Sequence, residues 1–213
     1  MKKRIPLVLI AAILMCPTLV NSASHYFTDG AIPEGAEFTL GIFDHEGNFL
    51  GDANTFPLRF EMGFSGKMSG FIQAEWLKLD TIVGDISTFG FGLGGMYQIV
   101  EDGKSLPFDI SVRGSAMHYL EKEKTMGIIR LIMDSYTDIQ VSGIASKTFK
   151  DLGAFDITPY SSLNVAFVVS DDTDTAFTFA LGGRFRFAQS WSLFAEYDLG
   201  DRDGWGFGGS YSF

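Results

Sequence analysis

Cysteine is nearly absent from this chain of 213 residues: Cys16 is the only one. A single cysteine so near the start excludes a disulfide framework and a cysteine metal site. Histidine is scarce as well, with His25, His45 and His118 alone available for acid–base work. Basic residues are in deficit, 16 Lys and Arg against 26 Asp and Glu, which excludes nucleic acid as a partner because phosphate binding needs clustered cations. Finally, no segment after the first twenty residues carries the long apolar run of a membrane helix. The chain is nevertheless too apolar, at 46%, to be disordered.

What is present begins with an export signal. Lys2, Lys3 and Arg4 precede an apolar stretch from Ile5 to Cys16, Pro17 breaks it, and Val20-Asn21-Ser22 offers a cleavage site. That stretch is shorter than the ~20 residues that span a bilayer, so residues 1–22 read as a cleaved signal peptide and 23–213 as one barrel domain. Cys16 would leave with the signal. Residues 13–15 do not match a lipidation box.

The exported part alternates. Phe177, Phe179, Leu181, Phe185 and Phe187 interleave with Ala176, Thr178, Ala180, Gly182, Arg184 and Arg186. Leu58, Phe60, Met62 and Phe64 oppose Arg59 and Glu61, and Ile72, Ala74 and Trp76 oppose Gln73 and Glu75. A period of two over nearly the whole chain is the mark of β-strands with two unlike faces. Ten strands are expected, at about 36–43, 57–65, 68–79, 87–100, 107–119, 136–148, 157–169, 176–187, 191–199 and 205–213. Eight is the alternative count, since the first strand and 136–148 are the weakest. An even number puts both termini on the periplasmic side and the connections 44–56, 80–86, 120–135, 170–175 and 200–204 outside. The fold class is therefore all-β, a transmembrane antiparallel up-and-down barrel; a soluble periplasmic β-sandwich is the competing arrangement of the same strands.

The C-terminus adds a resemblance. Trp205, Phe207, Gly209, Tyr211 and Phe213 occupy every second position up to the last residue. This ending resembles the C-terminal β-signal of bacterial outer-membrane β-barrel proteins, and residues 192–198 look like penultimate strands of small OmpA- or OmpW-like barrels. The resemblance implies assembly by the barrel-assembly machinery and a wall surrounded by outer-membrane lipids and lipopolysaccharide.

On the inward face the alternation collects Arg59, Glu61, Glu75, Asp109, Arg113, Arg184, Arg186, Glu196 and Asp198. Charges removed from water must be paired, so a lumen ion-pair network is expected, either a structural filling or the lining of a narrow ion or solute pore. Gly90, Gly92, Gly94, Ala180, Gly182, Gly206 and Gly208 also point inward, which leaves room beside the arginines on this reading. Within an alternating strand these glycines form no nucleotide loop. Asp201-Arg202-Asp203-Gly204 and the acids at 171–174 read as solvated turns that lack the distal Glu of a calcium loop, and Glu34 to Glu37 and Glu121 to Lys124 as solvated charge. No cofactor is expected. A lipid A-modifying hydrolase or acyltransferase would need a triad, and the nearest set, Ser115, His118 and Glu121, puts Ser115 and His118 on opposite faces of one strand. The expected role is non-enzymatic: structure, surface interaction or a narrow pore.

Deleting Phe213 is expected to impair insertion into the membrane without abolishing export. Normal amounts of folded, heat-modifiable barrel from the truncated chain would refute this.

Overall fold

Polar side chains line the interior of the structure and aromatic ones coat its outside, the reverse of a water-soluble protein. The structure, a computed structural model, describes residues 28–45, 52–81, 84–102, 106–126, 129–150, 155–170, 173–187 and 190–213. The expected signal peptide lies outside the described residues.

Twelve strands occur among the described residues: β1 Ala36–His45, β2 Ala53–Ser65, β3 Met68–Thr81, β4 Gly84–Val100, β5 Asp109–Tyr119, β6 Lys122–Met126, β7 Ile129–Met133, β8 Tyr136–Ser146, β9 Phe155–Val169, β10 Thr173–Phe187, β11 Trp191–Gly200 and β12 Gly204–Ser212. Ten of them form a closed antiparallel barrel, and β6 and β7 make a separate hairpin between β5 and β8. Both strands with the weakest sequence pattern, β1 and β8, are full members of the wall. Closure is made by β1 and β12, paired from Glu37 with Ser212 to His45 with Gly204. It leaves no unpaired edge, which a lipid-facing sheet requires.

Parity then sorts the side chains. Phe89, Leu93, Leu163, Ile72 and Trp191 are each more than 60% exposed on the outside, whereas Arg113, Glu75, Asp198 and Ser142 are 1% exposed or less inside. A continuous apolar belt of this extent in water would far exceed the patches soluble proteins tolerate. The sandwich alternative, which needs the aromatic face as its core, does not occur.

Two segments depart from the simple barrel. At the inner end, which carries residue 36 and the C-terminus, residues 28–35 turn back into the lumen. Ser111, on the lumen face of β5, donates to the carbonyl of Gly30 at 2.5 Å, and Thr28, Asp29 and Gly30 are buried. At the outer end the β6–β7 hairpin folds over the mouth. Leu131 and Met133 of β7 join Leu77, Ile86, Met117, Tyr119 and Tyr136 in one buried apolar cluster. Within the connection 120–135, β6 and β7 thus form a lid where the sequence predicts a plain external loop.

Aromatic residues gather toward both ends of the wall. Trp191 packs edge-on against Tyr211 at 4.8 Å and Phe155 tilts against Phe187 at the inner end. Toward the outer end Trp76 stacks on Phe56 and Trp205 on Phe207. Such rings favour the interfacial zones of a bilayer. Lipids brominated near the carbonyl region are expected to quench tryptophan fluorescence more strongly than lipids brominated at the chain ends; the opposite order would overturn this placement.

Candidate functional site

The lumen is the one region where the alternation concentrates polar chemistry. Its arginines come from four separate parts of the wall: Arg59 from β2, Arg113 from β5, Arg184 from β10 and Arg202 from the β11–β12 turn, each 5% exposed or less. A buried guanidinium needs acceptors for its N–H groups and an opposing charge.

Arg184 has the fullest set. Its Nε donates to Ser192 Oγ at 3.0 Å, Nη2 donates to Glu37 and, at 3.4 Å, to Ser210, and Nη1 reaches Asp29 Oδ2 at 3.5 Å. The Phe194 ring lies 5.0 Å from the guanidinium carbon. In the middle of the barrel Arg59 pairs with Glu61, Nε to Oε2 at 3.6 Å, while Ser69 donates to the other Glu61 oxygen at 2.5 Å. Arg113 lies over the Phe71 ring at 3.9 Å and Arg59 over the same ring at 5.8 Å, geometries in which the ring face stabilises a cation. Higher up, Arg202 donates to Asp138 Oδ2 at 2.9 Å.

Buried carboxylates outnumber these arginines, and hydroxyl and amide donors serve two of them, Glu75 and Glu196. Tyr119 donates to Glu75 Oε1 at 2.7 Å and Gln73 Nε2 to Oε2 at 3.2 Å. Tyr160 donates to Glu196 Oε2 at 2.6 Å. A buried oxygen without a donor carries the full cost of its desolvation, and these tyrosines and Gln73 supply that donor.

Of the nine charged residues expected inside, Arg59, Glu61, Glu75, Arg113, Arg184, Glu196 and Asp198 are buried in the lumen. Asp109 sits at the inner rim, where its Oδ1 accepts from Gln98 Nε2 and the Asp102 amide. Arg186 is exposed at the inner end of β10. Reading by alternation missed four participants. Asp29 precedes the first strand. Glu37, expected as solvated charge beside Glu34, is 6% exposed and bonded to Arg184, while Glu34 is exposed as expected. Asp138 belongs to a strand whose polar side was recognised but not its ion pair. Arg202 was assigned to a solvated turn, yet it is buried at 2% because its long side chain reaches back into the lumen. The flanking Asp201 and Asp203 cap backbone amides of Phe177 and Gly200, and the acids at 171 and 172 lie outside the described residues.

The inward glycines do not leave the expected room. Five of them are paired across the sheet with a large side chain that covers them, Gly90 with Tyr119 and Gly92 with Met117, Gly94 with Phe71, Gly182 with Tyr160 and Gly206 with Phe43, while Gly208 lies opposite Gly41 and Ala180 opposite Ser162. A Cβ on Gly94, Gly182 or Gly206 would lie 2.2 Å from a ring atom of its partner, well inside contact distance. The missing side chain is therefore the seat of a neighbour's ring, the cross-strand packing that offsets the poor strand propensity of glycine.

Ser115 and His118 stay apart. Ser115 faces the lumen and is buried, whereas His118 faces outward, with Nδ1 3.0 Å from Thr137 Oγ1 and its ring edge-on to Phe91. On the lid, exposed Arg130 donates to Glu123, a bond that raises the pKa of the guanidinium above its ordinary value.

Replacing Gly182 by Val is expected to destabilise the barrel by about 1–3 kcal/mol through overpacking. Gly143→Ala, where an added Cβ meets nothing within 4 Å, is expected to change stability by less than about 0.5 kcal/mol. Equal urea midpoints for the two variants in lipid vesicles would refute the seating argument.

No family model matches the chain, and no curated protein matches it in sequence. Solved structures match its architecture. The β domain of the Bordetella autotransporter BrkA superposes with a TM-score of 0.51 at 13% identity, covering 84% of this chain and 99% of that one. An outer membrane channel from Pseudomonas putida F1 gives 0.51 at 11% identity, covering 90% and 100%. At these identities the likeness carries the fold alone; it supports an outer-membrane β-barrel but not the OmpA- or OmpW-like group. The chain thus has the fold of bacterial outer-membrane β-barrels, with ten strands and a polar, closely filled lumen.

Proposed function

We propose that the protein is an integral outer-membrane barrel with a structural or surface-interaction role, closed to solutes in its resting state, and that it is not an enzyme. The observation that carries this reading is the filled lumen. Rings seated on glycines occupy the wall side, paired charges cross the middle, residues 28–35 fill the inner mouth and the β6–β7 hairpin covers the outer one. The apolar belt fits a wall surrounded by outer-membrane lipids and lipopolysaccharide, and the terminal aromatic pattern fits recognition by the barrel-assembly machinery. The excess of acidic over basic residues speaks against nucleic acid as a partner. A standing pore is the second reading, and the buried arginines favour it because they are the groups that would select ions.

Conductance across planar bilayers separates the two. The folded protein is expected to give no steady current under moderate voltage, with folding verified by its heat-dependent shift on gels. Discrete, ion-selective steps that change on substitution of Arg113 would establish the pore instead.

A further inference from the structure

The two mouths of the barrel are closed by different physics. The outer lid is seated by apolar burial: Leu131 is 1% and Met133 7% exposed, packed with Leu77, Met117 and Tyr119. Among the described residues the inner segment brings small side chains into the lumen, Thr28, Asp29, Gly30 and Ala31, with Ile32 and Pro33 half-buried behind them. Fewer large apolar side chains leave water there than under the lid, so the described tip is held less by hydrophobic burial.

We propose that residues 28–33 are a releasable plug, latched to the wall by Asp29 on Arg184 and hinged at residues 33–35. The proposal rests on the closed-barrel reading above and adds which mouth opens and how.

The latch is asymmetric. The wall serves Nε and Nη2 of Arg184, through Ser192 of β11, Glu37 of β1 and Ser210 of β12, and Asp29 takes Nη1. Its contact with Asp29, at 3.5 Å, is the longest of the four. If Asp29 withdraws, the guanidinium keeps a carboxylate, two hydroxyls and the Phe194 ring, so the wall is left without an uncompensated buried charge. Asp29 in turn would exchange a long contact for hydration. Neither charge is stranded, because Glu37 stays on the guanidinium and Nη1 faces the water that enters as the tip leaves.

Among the described residues the other ties of the tip are few. Ser111 donates to the Gly30 carbonyl. Thr28 makes a weak 3.9 Å bond to the Met96 sulfur, and Asp29 Oδ1 accepts from the Ala31 amide within its own turn. The hinge, by contrast, is tied backbone to backbone. Gly63 donates to the Gly35 carbonyl at 3.0 Å, and the Pro33 carbonyl lies so close to Gly63 that a Cβ there would come within 2.1 Å of it. Pro33 fixes its own φ, which stiffens the junction. Movement is therefore confined to the tip. Its departure uncovers Ser111, Ile144 and the Arg184–Glu37 pair to the inner mouth, a polar vestibule of mixed charge.

The test measures access. In the full chain carrying Cys16→Ser, a cysteine replaces Ile144, whose side chain abuts Gly30; Ser111→Cys is the second reporter should Ile144→Cys fail to fold. The folded barrel is treated with a membrane-impermeant methanethiosulfonate, alongside Lys67→Cys in an exposed turn as the open standard. The reporter is expected to be protected in the parent, to label at least about tenfold faster when Asp29→Asn is added, the scale of one charge-assisted hydrogen bond, and to be protected again with Asp29→Glu. Protection in all three variants would overturn the latch while leaving the closed barrel intact, and fast labelling with Asp29→Glu would equally overturn it by removing the role of the carboxylate. Labelling of the parent as fast as Lys67→Cys would instead overturn the closed-barrel reading itself.

Discussion

Everything in this molecule follows from the pairing of the first and last strands of the wall. A lipid-facing sheet has no water to satisfy an open edge, so the N–H and C=O groups of β1 and β12 must find each other or the architecture fails. Once they do, the period of two sends every second side chain outward and the rest into a space of fixed girth. The apolar belt and the polar interior are two consequences of one closure. The chemistry of the lumen is then a problem of filling that space without stranding a charge.

The filling is solved in three ways along the barrel. At the inner end a short return of the chain supplies Asp29 to Arg184. In the middle, arginines rest on aromatic rings that themselves rest on glycines, so that Phe71 is both the cover of Gly94 and the platform of Arg113 and Arg59. Toward the outer end the Tyr119 hydroxyl serves Glu75, beneath the apolar residues of the lid. These layers share residues, which couples them. Tyr119 covers Gly90, donates to Glu75 and stacks on Tyr136 at 4.6 Å, beneath the lid. A change at that position would be felt in both the polar middle and the apolar cap.

The wall was legible in the sequence because the alternation of a lipid-facing strand is written residue by residue. The strands near 205–212 and 176–187 show it without interruption, and even the blurred strand at 136–146 keeps Ile139 and Val141 opposite Asp138 and Gln140. The lumen was legible only in part. Arg59, Arg113 and Arg184 could be placed inside by parity, but parity says nothing of a segment without periodicity, and so Asp29 and the return of residues 28–35 left no trace. Arg202 sits in a turn, where a residue's neighbours in sequence are solvated; its burial depends on the reach of a long side chain to Asp138. The inward glycines were visible, yet whether they leave space or seat a ring depends on register with the next strand, which becomes fixed only when the strands are paired.

The seated rings carry one further consequence, for the order of assembly. Tyr119 on Gly90, Met117 on Gly92, Phe71 on Gly94 and Tyr160 on Gly182 each join strands that are neighbours in the chain, so these contacts can form while a hairpin is still growing. Phe43 on Gly206 is different, because it bridges β1 and β12 across the seam. Its ring finds its place only when the circle is complete, alongside His45, on which it stacks at 4.8 Å. The seam therefore has a side-chain clasp of its own, formed last, and the environment of Phe43 marks the moment at which an open sheet becomes a barrel.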